Sequence, residues 1–211
     1  MFGNIKIATK DTFIYSLGNI STKIVGLILL PLYTDVLTLE EYGVLGTVEI
    51  TIQVLVITFS LSIYQALNRW YWDKDYRNKQ KSIFFTVLVT LFVASFLMCL
   101  FFFPFSKKLS LALLDSKDYA YLFFLMVIGA FLQIISRLFL TLMRLQRRAI
   151  MYSVRNVVKL IITLGLTIYF VVVLDRGLEG IMEAQILGFF IFIIINVKYV
   201  LRNVVPVFER S

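Results

Sequence analysis

Hydrophobic residues dominate this chain in long runs, separated by short stretches that hold most of its charges. An apolar run of about 20 residues is long enough for a helix to cross the hydrocarbon core of a bilayer. The strands of a membrane barrel would instead alternate apolar and polar residues over about ten positions. The pattern therefore predicts an all-α bundle of six transmembrane helices, at residues 12–35, 44–66, 83–105, 119–142, 151–174 and 178–200.

Short connections with turn and charge signals separate these helices, including residues 39–43, 106–118 and 175–177. The first apolar run is not typical of a cleavable signal peptide, because it is too long and contains Lys23 and Pro31. Pro31 frees a backbone carbonyl, which predicts a kink near the outer end of the first helix and a possible hinge there. No long linker appears, so we expect one six-helix unit over residues 1–211.

Composition supports a membrane protein and excludes several kinds of site. The chain is 60% hydrophobic and only 16% charged, whereas soluble domains are about half apolar and about a quarter charged. It has no histidine and one cysteine, Cys99, which excludes His/Cys metal clusters and an intrachain disulfide. No Gly-rich phosphate loop or nucleophile elbow occurs. We therefore expect no metal, no cofactor, no catalytic residues and no enzymatic activity.

The distribution of Lys and Arg predicts the orientation of the chain. The N-terminus, the second and fourth loops and the C-terminal tail hold 13 of them, and the intervening loops hold four. Cytoplasmic loops carry the excess of positive charge in membrane proteins. Both termini are therefore predicted to be cytoplasmic, in a multi-pass protein of the cytoplasmic (inner) membrane.

Four cations fall inside the predicted helices: Lys23, Arg137, Arg155 and Lys159. A charge deep in a bilayer is unfavourable, so it normally faces a watery cavity or a partner. Long side chains near a helix end can instead lift their charge to the interface, and for Arg137 and Arg155 both interpretations stay open. Lys159 is deeper, and Lys23 lies at the middle of its helix.

Polar residues accompany these cations at helical spacing. The first helix has a stripe with Ser16, Asn19 and Lys23, and the fifth has Arg155 and Lys159 on one face beside Asn156. Glu49 and Gln53 mark a polar face of the second helix. Such stripes also join helices by hydrogen bonds, but several cations would repel one another without an anion or water between them. We therefore expect a hydrated, net-positive cavity.

Two acids also fall inside the predicted helices. Glu49 and Glu183 both lie towards the outer face. They are candidate counter-ions of the buried cations or candidate sites of proton or cation coupling, and the sequence does not rank these roles.

Several short motifs follow one another along the chain. They lie at residues 30–34 (LPLYT), 37–43 (LTLEEYG), 66–71 (ALNRWY), 144–148 (RLQRR) with Tyr152, and 177–181 (GLEGI) with Ala184 and Gln185. In these motifs and in their order the chain resembles polysaccharide flippases of the multidrug/oligosaccharidyl-lipid/polysaccharide (MOP) exporter superfamily. The resemblance covers essentially the whole chain.

The resemblance implies a protein of two six-helix lobes around a central cavity. Such proteins flip undecaprenyl-pyrophosphate-linked oligosaccharide across the membrane by alternating access, for the synthesis of surface polysaccharides such as O-antigen. It implies that cavity cations contact the anionic substrate, with Lys23, Arg155, Lys159 and Arg137 as candidates and Arg69 at the cytoplasmic mouth. The length implies one lobe only, so we expect a fragment or a chain that works with a second half.

Other functions stay open at this point. A multidrug or organic-cation antiporter of the same superfamily would require acids rather than cations inside its cavity. A membrane glycosyltransferase, acyltransferase or polysaccharide polymerase would require a catalytic residue set, which the chain lacks. A structural scaffold would have no need of Lys23. We expect lipid and lipid-linked oligosaccharide as partners, and no nucleic acid.

Overall fold

A computed structural model describes residues 20, 24–76, 78–114 and 118–206 of the chain, and these ranges contain helices and no strands. Short 3₁₀ segments occur at Lys74–Tyr76 and Phe103–Phe105, and a π-helical segment at Tyr169–Val173. The α-helices are α1 (Ile24–Val36), α2 (Leu39–Phe59), α3 (Ile63–Trp70), α4 (Gln80–Phe102), α5 (Ser106–Leu114), α6 (Ala120–Leu145), α7 (Ala149–Ile168) and α8 (Gly177–Leu201).

Five helical stretches in the described ranges are long and apolar enough to cross a bilayer. They are Leu39–Phe59, Gln80–Leu113, Ala120–Leu145, Ala149–Val173 and Gly177–Leu201. They confirm that the chain is a multi-pass helical membrane protein. The first helix predicted, at 12–35, is represented by α1, and most of its N-terminal half lies outside the described residues.

The polar residues before Val44, which the sequence pattern assigns to a loop, form the start of α2 in the structure. Thr38 accepts a hydrogen bond from the backbone N–H of Glu41 at 3.2 Å, and the Thr38 N–H donates to the Glu41 carboxylate at 2.8 Å. This reciprocal pair is a capping box, which satisfies two backbone groups at a helix start. The expectation that residues 39–43 form a connection is therefore wrong, because α2 begins at Leu39.

The second predicted helix, 44–66, is divided in the structure. Leu61 and Ser62 adopt left-handed backbone conformations, with φ of 49° and 54°, and they separate α2 from α3. This conformation is unfavourable by about 1–2 kcal/mol for an L-residue with a side chain. Because the sequence has no glycine or proline here, the apolar pattern predicts one continuous helix. The break between α2 and α3 shows that this prediction is wrong.

The third predicted helix, 83–105, is longer in the structure. α4 passes through the 3₁₀ segment containing Pro104 directly into α5, which packs against α6. Most of the region predicted as an outer loop, 106–118, is therefore helical. Lys108 of α5 lies with its Nζ 5.6 Å from the ring centroid of Phe105, which is typical of a basic side chain at an aromatic surface.

The bundle is organised around α6, which packs against α2, α3, α4, α5, α7 and α8. In α6, 67% of the most apolar stretch is buried inside the structure, against 17–33% in the other four spanning stretches. Its bounds differ little from the predicted 119–142, because both ends coincide with the ends of an apolar run.

Two glycines let α8 approach its neighbours closely. A Cβ at Gly188 would overlap the side chain of Thr163 on α7, and a Cβ at Gly180 would lie 3.2 Å from the Cβ of Phe170 in the π-helical segment. Small residues at helix contacts are the usual means of tight packing in membranes. α8 is therefore fixed against α7 along its first half.

One end of the bundle is strongly basic. There the Cζ of Arg147, between α6 and α7, lies 5.2 Å from the ring centroid of Trp72, which follows α3. We call this the basic end, and the sequence predicts it to be cytoplasmic. Its described cations include Arg69, Lys74, Arg144, Arg147, Arg148 and Arg202.

Candidate functional site

Arg155 is held on α7 by neutral partners of α8. Its guanidinium donates a hydrogen bond to the amide oxygen of Asn196, and the Asn196 amide donates to the carbonyl of Phe192 at 2.7 Å. Its Cζ also lies 5.2 Å from the ring centroid of Tyr199. The cation is therefore oriented by an amide and an aromatic face, and no carboxylate neutralises it in the described part of the chain.

Lys159 lies one helical turn deeper on the same face of α7. Its Nζ is 5.6 Å from the ring centroids of both Phe189 and Phe192 of α8. It follows the start of α7 by ten residues, so it lies about 15 Å into the helix, near the middle of a hydrocarbon core about 30 Å thick. Among the described residues Lys159 has no ion pair.

Arg137 of α6 lies near Lys159, and it shares a pocket lining with Tyr64 of α3. We call Arg137, Arg155 and Lys159 the cation cluster. Like charges in a medium of low dielectric repel strongly, so this arrangement favours an anion or water at the cluster.

A hydrogen-bond network closes the basic end beside the cation cluster. The Tyr199 hydroxyl donates to the Gln146 amide oxygen, and the Gln146 amide donates to Asn203 at 2.9 Å. The Asn203 amide returns to the Tyr199 carbonyl at 2.8 Å, and the Cζ of Arg148 is 5.4 Å from the Tyr199 ring centroid. This network ties the α6–α7 loop to the end of α8.

A second polar region lies between α1, α2 and α8. A cavity of about 360 Å³ is lined by Glu49, Tyr33 and Tyr42, and by Gln185 of α8, which lies close to Glu49. We call it the Glu49 groove. Its other lining residues are Val25, Gly26, Leu29, Leu30, Leu45 and Gly46.

Glu183 lies apart from the cation cluster, at the end of the bundle opposite the basic end. Its carboxylate forms an ion pair with Arg176 at 2.9 Å and accepts a hydrogen bond from the Tyr121 hydroxyl at 3.0 Å. The counter-ion of Glu183 is therefore Arg176, in the connection before α8, and none of the three cations of the cluster is paired with Glu183.

The other predicted site residues are scattered. Gln53 is exposed on α2 one turn after Glu49, Asn156 is buried on α7, and Arg69 is exposed near the end of α3. Pro31 lies within α1. Ser16, Asn19 and Lys23 lie outside the described residues.

No group of three His, Cys, Asp or Glu residues suited to a metal ion occurs in the ranges that the structure describes.

The sequence profile of the family described as polysaccharide biosynthesis protein matches residues 8–209 of this chain. The chain belongs to that family. The match includes every described helix of the bundle, so the residues of the cation cluster and of the Glu49 groove lie within the matched region.

Two solved structures share the fold of this polysaccharide biosynthesis family member. One is an outward-facing multidrug resistance transporter of the MATE family in the MOP superfamily, with a TM-score of 0.77 and 16% identity over 98% of this chain and 48% of that one. The other is a MOP superfamily transporter from Pyrococcus furiosus, described by a binding pocket of reversed polarity, with a TM-score of 0.76 and 14% identity over 97% and 47%. The chain spans about half the length of these structures. No curated protein matches it.

Sequence reasoning missed the residues that hold the cations. Asn196 is an amide inside the apolar run IIINV, and Tyr199 resembles an ordinary interfacial tyrosine. The isolated amide was the available signal, because a polar residue within such a run requires a partner. Gln146 lies in a motif that pointed to the family, but its contact with Asn203 joins residues 57 positions apart.

Proposed function

We propose that this chain is one lobe of a transporter that moves an anionic lipid-linked oligosaccharide across the cytoplasmic membrane by alternating access. The substrate class is an oligosaccharide linked to undecaprenyl pyrophosphate, and both termini of the lobe face the cytoplasm. The main support is the cation cluster, whose three charges have no carboxylate partner in the described part of the chain.

The physical argument concerns what such a cluster can bind. Isolated cations inside a membrane are retained where they meet a polar pathway or ligand. A pyrophosphate offers acceptor oxygens to guanidinium and ammonium groups, and charge-assisted hydrogen bonds of this kind are about twice as strong as neutral ones. Lys23 would add a further cation from the first helix. An anionic headgroup therefore suits the cation cluster better than a neutral or cationic substrate.

Export of surface polysaccharide tests this proposal. We would express the chain, together with the second lobe that a complete transporter requires, in a host that lacks its own flippase. Lys159→Met should reduce export by about tenfold or more, since a charge-assisted contact contributes about 1.5–3 kcal/mol. Lys198→Met is the matched control, because Lys198 is exposed in the last turn of α8. Equal export by both variants would contradict the proposed role of the cluster.

A second candidate function is antiport of an organic cation. The Glu49 groove supports it, because a carboxylate beside two tyrosine rings is suited to a cationic ligand. This groove and the cation cluster therefore favour substrates of opposite charge. The variant Glu49→Gln distinguishes the two functions. If the groove binds the transported substrate, cells that express this variant should lose resistance to cationic drugs.

A further inference from the structure

A small pocket opens at the basic end between α3, α6 and α7. Its volume is about 250 Å³, and it is lined by Tyr64, Arg137, Leu140, Thr141, Arg144 and Tyr152. Ligand pockets for drug-sized molecules usually measure about 300–1,000 Å³. This pocket is therefore suited to a headgroup and is too small for a whole oligosaccharide.

Two arginines of α6 converge on this pocket. Arg137 and Arg144 are seven residues apart, so they lie on one face of the helix and about 10 Å apart along it. Both are exposed, and neither has an ion pair with another residue in the described ranges. None of the six lining residues is acidic. The pocket is therefore positively charged and has no built-in counter-ion.

The hydrogen-bonding capacity of the lining residues indicates the chemistry of a ligand. The Tyr64 hydroxyl already donates to the carbonyl of Ile134 at 2.7 Å, and the Thr141 hydroxyl donates to the carbonyl of Arg137 at 2.8 Å. The N–H groups of the two guanidiniums, up to five on each, remain as donors for a ligand. Planar guanidinium groups bind phosphate with paired hydrogen bonds, so an acceptor-rich phosphate fits better than a sugar hydroxyl.

The position of the pocket matches the level of lipid phosphates. Arg144 lies in the last turn of α6, and Trp70 and Trp72 are exposed at the same end of the bundle. Tryptophan is enriched at the membrane interface. Arg137 lies two turns deeper on the same side. A lipid phosphate at the interface would therefore meet Arg144 first and Arg137 on moving inward.

We propose that the pocket between α3, α6 and α7 binds the phosphate of an anionic membrane lipid through Arg144 and Arg137. The ligand is either the pyrophosphate of the transported lipid or the phosphate of a resident phospholipid, since both present the same chemistry. In the first case the inference rests on the proposed function, and the pocket, which shares Arg137 with the cation cluster, receives the substrate before it reaches Arg155 and Lys159.

Lipid binding to the purified protein tests this inference. Native mass spectrometry would measure the apparent Kd for undecaprenyl pyrophosphate and for phosphatidylglycerol, with phosphatidylcholine as the reference lipid. Arg137→Gln with Arg144→Gln should weaken binding of at least one anionic lipid by about 100-fold, at about tenfold for each guanidinium. Arg202→Gln is the matched control, because it removes an exposed arginine of the same end outside the pocket.

The outcomes distinguish the transported lipid from a resident phospholipid as the ligand, and they distinguish lipid binding at this pocket from transport. A loss limited to undecaprenyl pyrophosphate assigns the pocket to the substrate, and a loss limited to phosphatidylglycerol assigns it to a resident lipid. Should the double variant unfold, Arg144→Gln alone serves, since that residue is exposed in the last helical turn, and about a tenfold loss is expected. Equal affinity of the pocket variants and Arg202→Gln for both lipids overturns the inference. Because binding is measured without transport, a transporter that fails to export oligosaccharide could still bind lipid phosphate here.

Discussion

The cation cluster and the Glu49 groove differ in charge but share one design. Arg155 is held by Asn196 and Tyr199, Lys159 lies against two phenylalanine rings, and Glu49 lies beside Gln185. Each charged group is oriented by neutral partners. At the end of the bundle opposite the basic end, by contrast, Glu183 and Arg176 neutralise each other at 2.9 Å.

This difference separates structural charge from charge that is available to a ligand. An ion pair compensates its own desolvation, whereas an oriented but uncompensated charge is unfavourable until a ligand of opposite sign arrives. α8 supplies neutral partners to both regions, with Gln185 in the Glu49 groove and Asn196 in the cation cluster. The position of α8 therefore determines the geometry of both.

The largest effect is expected from Gly188→Leu, because Gly188 lies on α8 between Gln185 and Asn196. A side chain there overlaps Thr163 and should push α8 away from α7. Overpacking of this kind destabilises by about 3 kcal/mol, so thermal unfolding in detergent should occur several degrees lower. Gly165→Leu on α7 is the control, since a Cβ there meets open space. Similar melting temperatures for the two variants would show that α7 and α8 separate without disrupting the fold.

Charge reversal of Lys159 should have the next largest effect and act on one region only. Lys159→Glu should weaken binding of the anionic lipid-linked substrate by about 30-fold, which corresponds to the loss of about 2 kcal/mol from a charge-assisted contact. Lys159→Arg keeps the charge and should bind within a few-fold of the wild type. If Lys159→Glu binds as tightly as Lys198→Glu, the cluster does not contact substrate. Titration with undecaprenyl pyrophosphate measures all of these affinities.

A smaller effect is expected from removing the neutral partner of Arg155. Asn196→Leu leaves the guanidinium stacked on Tyr199 but without its acceptor, which should destabilise the protein by about 1.5 kcal/mol. Replacing both residues, with Arg155→Leu and Asn196→Leu together, should restore much of this stability, since a buried polar pair can be exchanged for apolar groups at little loss. The double-mutant cycle is measured by thermal unfolding. Additive losses would mean that Asn196 does not hold Arg155.

The sequence predicted the parts of this molecule that depend on apolar length and on helical spacing. The bounds of α6 and α8 and the shared face of Arg155 and Lys159 follow from such local patterns. The break at Leu61 and Ser62 could not be predicted, because neither residue favours a left-handed conformation and tertiary contacts decide it. The proximity of Arg137 to Lys159 could not be predicted from the sequence either, since it depends on how α6 packs against α7.

The smallest effect is expected from Glu49→Gln, which removes one charge while keeping the shape of the side chain. Glutamine has nearly the same shape as glutamate and can pair with the amide of Gln185, so the Glu49 groove should retain its geometry. If the cation cluster carries an anionic substrate, affinity for undecaprenyl pyrophosphate should change by about twofold or less, since none of the three cations of the cluster is paired with Glu49 in the described part of the chain. A loss of about tenfold in resistance to cationic drugs, with unchanged binding of the anionic lipid, would instead assign transport to the Glu49 groove, because the Glu49 carboxylate is the group there that can pair with a cationic ligand. Measuring both quantities in the same variant therefore decides which of the two regions defines the substrate.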